Sequence, residues 1–307
     1  MKSNCITAID LGSNSFRVVQ YDYIQNRIVD EYHEVVGMAQ GLAQSKVVSK
    51  EAQQRVIAAI EKSSKTLHYN PKHAVCVTTA AMRMASNSQE VLKNFEEKTG
   101  TKFKIIDAQA EANLILLAIQ YALKRENIQS EAFIVLDIGG GSTELVIYNQ
   151  KETFIQSFPF GIVTLTQRFN TISEVKEELI NIKKEMQSYL KSLAVNLNTH
   201  IFISTAGTPT TVAAVKLGLD AYAYDKNRVN GTIVEYEDLE MILKRFENEP
   251  LENLTKLVGS GRVEFIEVGI LIFKMVFEVL EKTKTIVFDD GLREGVAINH
   301  FLKQIKL

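Results

Sequence analysis

The chain has 307 residues, of which 46% are hydrophobic and 23% charged, a mixture that supplies apolar material for two cores and excludes a disordered or fibrous chain. Lys and Arg number 35 against 37 Asp and Glu, and the formal charge of -2 excludes a broad nucleic-acid-binding face, so a polyanion would have to be met by local groups. No apolar run is long enough to span a bilayer, and the opening MKSNCITAID lacks the apolar core of a secretion signal, so the expectation is a cytoplasmic chain with no membrane partner.

In chain order, CITAID reads as a strand that carries Cys5, LGSNS as a turn, and FRVVQYDY and RIVDEYHEVV as two further strands. A helical pattern covers 49–68. AVCVTTAAMR is a strand running through a Thr/Ala turn into a helix, and DAQAEANLILLAIQYALK is a helix with Asp107 as its N-cap. Then the opening grammar returns: AFIVLDI is a strand, GGGST a turn, and ELVIYN and ETFIQSFPF are strands. A helix is expected over 173–195, started by Thr171-Ile172-Ser173-Glu174 as a capping box. IFISTAGTPTT repeats the strand–turn–helix pattern, and helices follow over 237–248 and 261–282, the second apolar on most faces and so buried. TIVFDD is a last strand, leading through GLREG into a terminal helix over 293–307. Cys5 and Cys76 sit in apolar runs and are read as small buried hydrophobes, not as a disulfide.

The recurrence has a fixed offset. Asp137 follows Asp10 by 127 residues, and Thr205-Ala206 follows Thr79-Ala80 by 126. Two matches at nearly one spacing argue for two copies of an α/β unit, each opened by an antiparallel hairpin, so that the sheets are mixed.

Both copies place a Gly/Ser/Thr turn after a strand that ends in Asp. Backbone amides with little side-chain obstruction, at Ser13, Asn14 and Ser15 and again at Gly139, Gly140, Gly141 and Ser142, form a nest suited to phosphate. The strand-end carboxylates Asp10 and Asp137, with Glu144 seven residues further on, can hold a divalent cation such as Mg²⁺. Either turn alone is equally well read as a plain hairpin; the duplication favours the phosphate reading. AGTPTT, with Gly207 and Thr208, adds a helix N-terminus, although alone it is better read as a capped turn. Glu111 lies in or just past the first turn of its helix, where a carboxylate ordinarily complements the dipole. Here the helix's polar residues Asn113 and Gln120 share one face, and Glu111 lies about 200° around the axis from Asn113, beside Leu114, Ile115 and Ala118. A carboxylate aimed inward needs a partner or a task. Among the arginines, Arg83 follows the TTAA turn and is best placed for an anion, while Arg17 and Arg262 are more simply surface or capping groups. The five histidines show no metal-ligand spacing, and Asp289-Asp290-Gly291 with Arg293-Glu294-Gly295 is explained by packing at the last helix.

These stretches together resemble the exopolyphosphatase / guanosine pentaphosphate phosphatase family: AIDLGSNSFRV, TTAAMRMASN, DAQAEANL, VLDIGGGSTELVI, STAGTPTT, GSGRVEF and DDGLREGV occur in that family's order across nearly the whole chain. The resemblance implies an α/β fold of two actin-like (ribonuclease H-like) domains, taken as 1–124 plus 293–307 and 125–292, with mixed sheets flanked by helices. It implies a Mg²⁺-dependent hydrolase that releases the terminal phosphate of inorganic polyphosphate or guanosine pentaphosphate in an interdomain cleft. Glu111 falls on the family's general base, Asp137 and Glu144 on its metal and water-orienting positions, Arg83 on a substrate-binding arginine, and Ser13–Ser15, Gly139–Ser142 and Gly207-Thr208 on phosphate contacts. No nucleic-acid partner is implied, and homodimer formation is left open. One segment departs: the family reads Ser-Gly-x-Glu-Glu-Ala where this chain has Asp107-Ala108-Gln109-Ala110-Glu111-Ala112. The second glutamate is kept and the first is Ala110. A small-molecule kinase of the same fold, or a non-catalytic binder of the same polyanions, are the rival readings.

Overall fold

The computed structural model describes residues 4–306, with the side chain of Glu247 outside the description. Met1–Ser3, which open the segment read for a leader, and Leu307, the expected end of the terminal helix, lie outside the described residues. The chain divides into two compact units, one running to Ile128 and resuming at Asp290, the other Gln129–Asp289.

In the first unit β1 (Cys5–Leu11), β2 (Ser15–Asp22) and β3 (Arg27–Val35) form an antiparallel meander, and β4 (Val75–Thr78) and β5 (Phe103–Ile105) add parallel to β1, in the order β3-β2-β1-β4-β5. That is a ribonuclease H-like order, as the resemblance implies. β5 leaves no signal in the sequence, because three residues are too few to show a period. Helices Lys50–Thr66, Ser88–Thr99, Ala108–Arg125 and Leu292–Leu302 accompany the sheet. Helix Ala108–Arg125 starts where Asp107 accepts the Ala110 amide at 2.7 Å, the cap its residue type predicts. Helix Leu292–Leu302 crosses it so closely that a Cβ at Gly295 would stand 2.0 Å from the Leu114 carbonyl oxygen. Only glycine permits that approach. The terminal helix ends at Leu302 and not at 307. Lys303 turns left-handed at φ 53°, and the Asn299 side chain instead pairs with the Ile305 amide and carbonyl, both at 2.8 Å.

The second unit repeats the plan. β6 (Ala132–Ile138), β7 (Thr143–Asn149) and β8 (Glu152–Phe158) form the meander, and β9 (Ile201–Thr205) joins parallel to β6. The duplication holds its offset through β9 and then breaks. Residues 217–283 intervene before β11 (Lys284–Val287), which takes the place that β5 has in the first unit, and β10 (Thr232–Glu235) pairs antiparallel on its outer side. The helix expected over 173–195 spans Ile172–Leu193, with Thr171 and Glu174 forming the capping box. Helix Val263–Leu280 is buried on most of its faces, with Phe273 and Phe277 set edge-on to Phe202 of β9 at ring separations of 6.4 and 5.1 Å.

Helix Ala108–Arg125 runs past 124, and Arg125 grips Asp290 through two parallel bonds of 3.0 and 2.7 Å, which keeps both residues in the first unit. No helix among the described residues is long and apolar enough to cross a membrane.

Candidate active site

The two glycine-rich turns close in the same way. The Gly12 amide donates to the Ser15 carbonyl at 3.0 Å, and the Gly139 amide donates to the Ser142 carbonyl at 3.0 Å. In each turn the carbonyls are then tied back by the segment that follows the meander. Val36 and Gly37 amides donate to Asn14 O, and Ala39 to Ser13 O; Ile162 donates to Gly139 O, and Val163 and Thr164 to Gly140 O. The amides of Ser13, Asn14, Gly140 and Gly141 make no such backbone bond among the described residues. A turn with its carbonyls occupied and its amides spare is polarised for an anion. The fit is close in the second unit, where a Cβ at Gly161 would lie 2.5 Å from Gly139 O and 2.6 Å from the Gly140 carbonyl.

Asp10 and Asp137 are the next-to-last residues of β1 and β6, the first strands of the two meanders. Asp10 stands across the ladder from Arg17, and Asp137 stands across from Glu144. One Oδ1 of Asp10 is enclosed without a hydrogen-bond partner, and burial pushes its carboxyl up to about 6, against the pull of Arg17 and then Arg293. Glu144 is buried and accepts a 2.7 Å bond from Ser157 Oγ, its neighbour on β8. The described residues hold no group of three or more metal-ligating side chains, whereas a Mg²⁺ ion needs only one or two carboxylates beside phosphate and water.

Glu111 is 8% exposed, turned inward as the helical spacing predicts, with Asn113 and Gln120 on the half-exposed side. Its Oε2 accepts a 2.8 Å bond from Arg83 Nη1, and the same nitrogen donates to the Ile106 carbonyl at 2.9 Å. The candidate base and the candidate substrate arginine are thus ion-paired, a relation that no sequence spacing announces.

In the second unit Gly207 opens helix Gly207–Lys216 after Ala206, which adopts φ 73°. Thr208 is buried, and its Oγ1 would lie 2.3 Å from a Cβ built on Gly269 of helix Val263–Leu280. That hydroxyl faces the helix, so an anion contact from Thr208 falls to its backbone amide. Arg262 reaches Thr211 Oγ1 of the same turn at 3.3 Å.

Sequence reasoning passed over Ser157, whose tie to Glu144 exists only through sheet register. It also passed over Arg293, which is 4% exposed and bonds Glu294 at 2.6 Å and Glu31 at 2.9 Å while lending positive charge to Asp10. The REG turn therefore does more than pack, since its buried arginine acts on the Asp10 carboxyl.

A sequence model of the Ppx/GppA phosphatase family matches residues 18–304. Among solved structures, the Aquifex aeolicus Ppx/GppA family member is similar at 28% identity over 99% of both chains, with a TM-score of 0.76. An exopolyphosphatase from Cytophaga hutchinsonii shares the fold at a TM-score of 0.79 and 22% identity, over 98% of this chain and 99% of that one. An exopolyphosphatase-like protein does so at 0.81 and 22%, over 98% of both.

Proposed function

Because this chain belongs to the Ppx/GppA phosphatase family, we propose that it is a Mg²⁺-dependent hydrolase that releases the terminal phosphate of inorganic polyphosphate, guanosine pentaphosphate, or both. Glu111 is the general base. Its burial at the start of helix Ala108–Arg125 is the observation that carries the reading, since an inward carboxylate with a fixed orientation suits the task of aligning and deprotonating a water. Asp107 caps that helix at the serine position of the family pattern, so the departure at Ala110 leaves the helix start intact.

Phosphoryl transfer is mostly positioning and charge stabilisation. The spare amides at Ser13, Asn14, Gly140 and Gly141 and the Gly207-Thr208 helix start bind phosphate oxygens, and Arg83 adds a guanidinium. Asp137 and Glu144 are the residues that would hold Mg²⁺, with Asp10 as a further carboxylate; the enclosed, unpartnered Oδ1 of Asp10 and the directly opposed Asp137 and Glu144 fit a cation. The ion, when bound, offsets phosphate charge.

The test is orthophosphate release with Mg²⁺ from polyphosphate and from guanosine pentaphosphate, beside ATP incubated with sugars or carboxylic acids. Release from at least one of the first two, with no phosphorylated acceptor, is expected. A phosphorylated acceptor without orthophosphate release would make the chain a kinase. Tight binding of both polyanions with no release would make it a non-catalytic regulator.

A further inference from the structure

The contacts of Arg83 give it a second task, one that rests on the reading of Glu111 as base. Arg83 Nη1 bonds at once to Glu111 Oε2 and to the carbonyl of Ile106, the residue before the Asp107 cap. One nitrogen therefore pins the carboxylate to the backbone at the start of its own helix. Arg83 Nε and Nη2 donate to no acceptor among the described residues, and the side chain is 24% exposed. A guanidinium carries five donors in a rigid plane, so one edge can hold Glu111 while the other takes an oxyanion.

We propose that Arg83 is the positioning residue of Glu111 as well as a phosphate contact, so that one planar group sets the base in register with the phosphate it serves. In the step itself the water oxygen bonds to the terminal phosphorus, the bond to the bridging oxygen breaks with its electron pair leaving on that oxygen, and the water proton passes to Glu111. Arg83 exchanges no proton; it fixes the direction of the accepting carboxylate. A lysine at 83 would offer donors from a single point and could not span both tasks.

The experiment is a cycle of four proteins, native, Arg83→Met, Glu111→Gln and the double variant, with kcat and KM measured for orthophosphate release from polyphosphate and guanosine pentaphosphate in Mg²⁺. Arg83→Met is expected to lower kcat about 10²-fold in the native background, as a misplaced group does. In the Glu111→Gln background it is expected to change kcat by less than about 3-fold while raising KM by the same factor as before. An equal loss of kcat in both backgrounds would overturn the proposal and leave Arg83 a substrate contact only. Arg83→Lys, with native melting behaviour, guards against misfolding: a kcat still down at least about 10-fold with KM nearer native supports the proposal, and a native kcat overturns it. Native kcat in Glu111→Gln alone is a separate result, which removes the reading of the base on which the proposal rests.

Discussion

Glu144 stands directly opposite Asp137 across the antiparallel β6–β7 ladder, at the position where the first unit sets Arg17 against Asp10. Side chains so opposed have Cβ atoms about 4.5–5.5 Å apart, and two carboxylates at that distance repel unless a cation or a proton comes between them. Ser157 Oγ, 2.7 Å from Glu144 Oε1, fixes one of them. Glu144 is a proposed Mg²⁺ ligand, and groups that orient a metal ligand are typically worth about 10–100-fold in affinity or activity. Ser157→Ala is therefore expected to raise the Mg²⁺ concentration for half-maximal phosphate release about 10-fold, with unchanged melting. An unaltered Mg²⁺ titration would remove Ser157 from the site.

Gly161 is needed for space and not for its dihedral, which is extended at φ -153°. A methyl group there meets Gly139 O and Gly140 within 2.6 Å, so Gly161→Ala must push the second glycine turn aside. The expected result is a KM for the polyanion raised about 10-fold or more, since misplacement near 1 Å is costly. Native KM in a folded variant would show that the turn does not meet substrate.

Asp10 links the site to stability. Its carboxyl is raised by burial to about 6 from an ordinary 3.8, so between those values the folded chain keeps a proton that the unfolded chain has released. Stability is then lost as pH rises through that window, and the cost is complete above about 6. In the presence of a chelator, Asp10→Asn is expected to be more stable than the native chain at pH 7, by up to about 3 kcal/mol at roughly 1.4 kcal/mol per unit, and no more stable near pH 3. Denaturant titrations at the two pH values measure this. A variant less stable at pH 7 would show that the charge of Asp10 is satisfied within the chain.

The two cysteines differ. Burial pushes the Cys76 thiol up to about 12, while Cys5 retains part of its exposure on β1. A thiol reagent at pH 8 is expected to modify Cys5 alone in the folded protein and Cys76 only after unfolding. Equal rates for both would contradict the placement of β4.

Much of this was readable from local chemistry. The glycine turns that follow Asp10 and Asp137, the Thr171 capping box and the Asp107 cap declare themselves because the residues that make them are neighbours in sequence, and Glu111 could be aimed inward from helical spacing alone. Residues 217–283 concealed the last match of the duplication, since β11 follows β9 at a spacing unlike that between β4 and β5. Relations set by tertiary register were closed to such reading. Arg83 and Glu111 lie 28 residues apart, and Arg125 and Asp290 lie 165 apart. Nothing in the residue types at those positions picks out these partners from many charged alternatives. The turn of the Thr208 hydroxyl toward Gly269 is likewise set by helix packing that the AGTPTT motif does not encode.

In the proposed mechanism Glu111 is the group that activates water. The most direct measurement is single-turnover release of orthophosphate by Glu111→Gln, with Mg²⁺ and saturating polyphosphate or guanosine pentaphosphate. Glu111→Gln is expected to remain folded and to bind the polyanion, with a rate lowered about 10²–10⁴-fold. A rate close to that of the native chain would contradict this role.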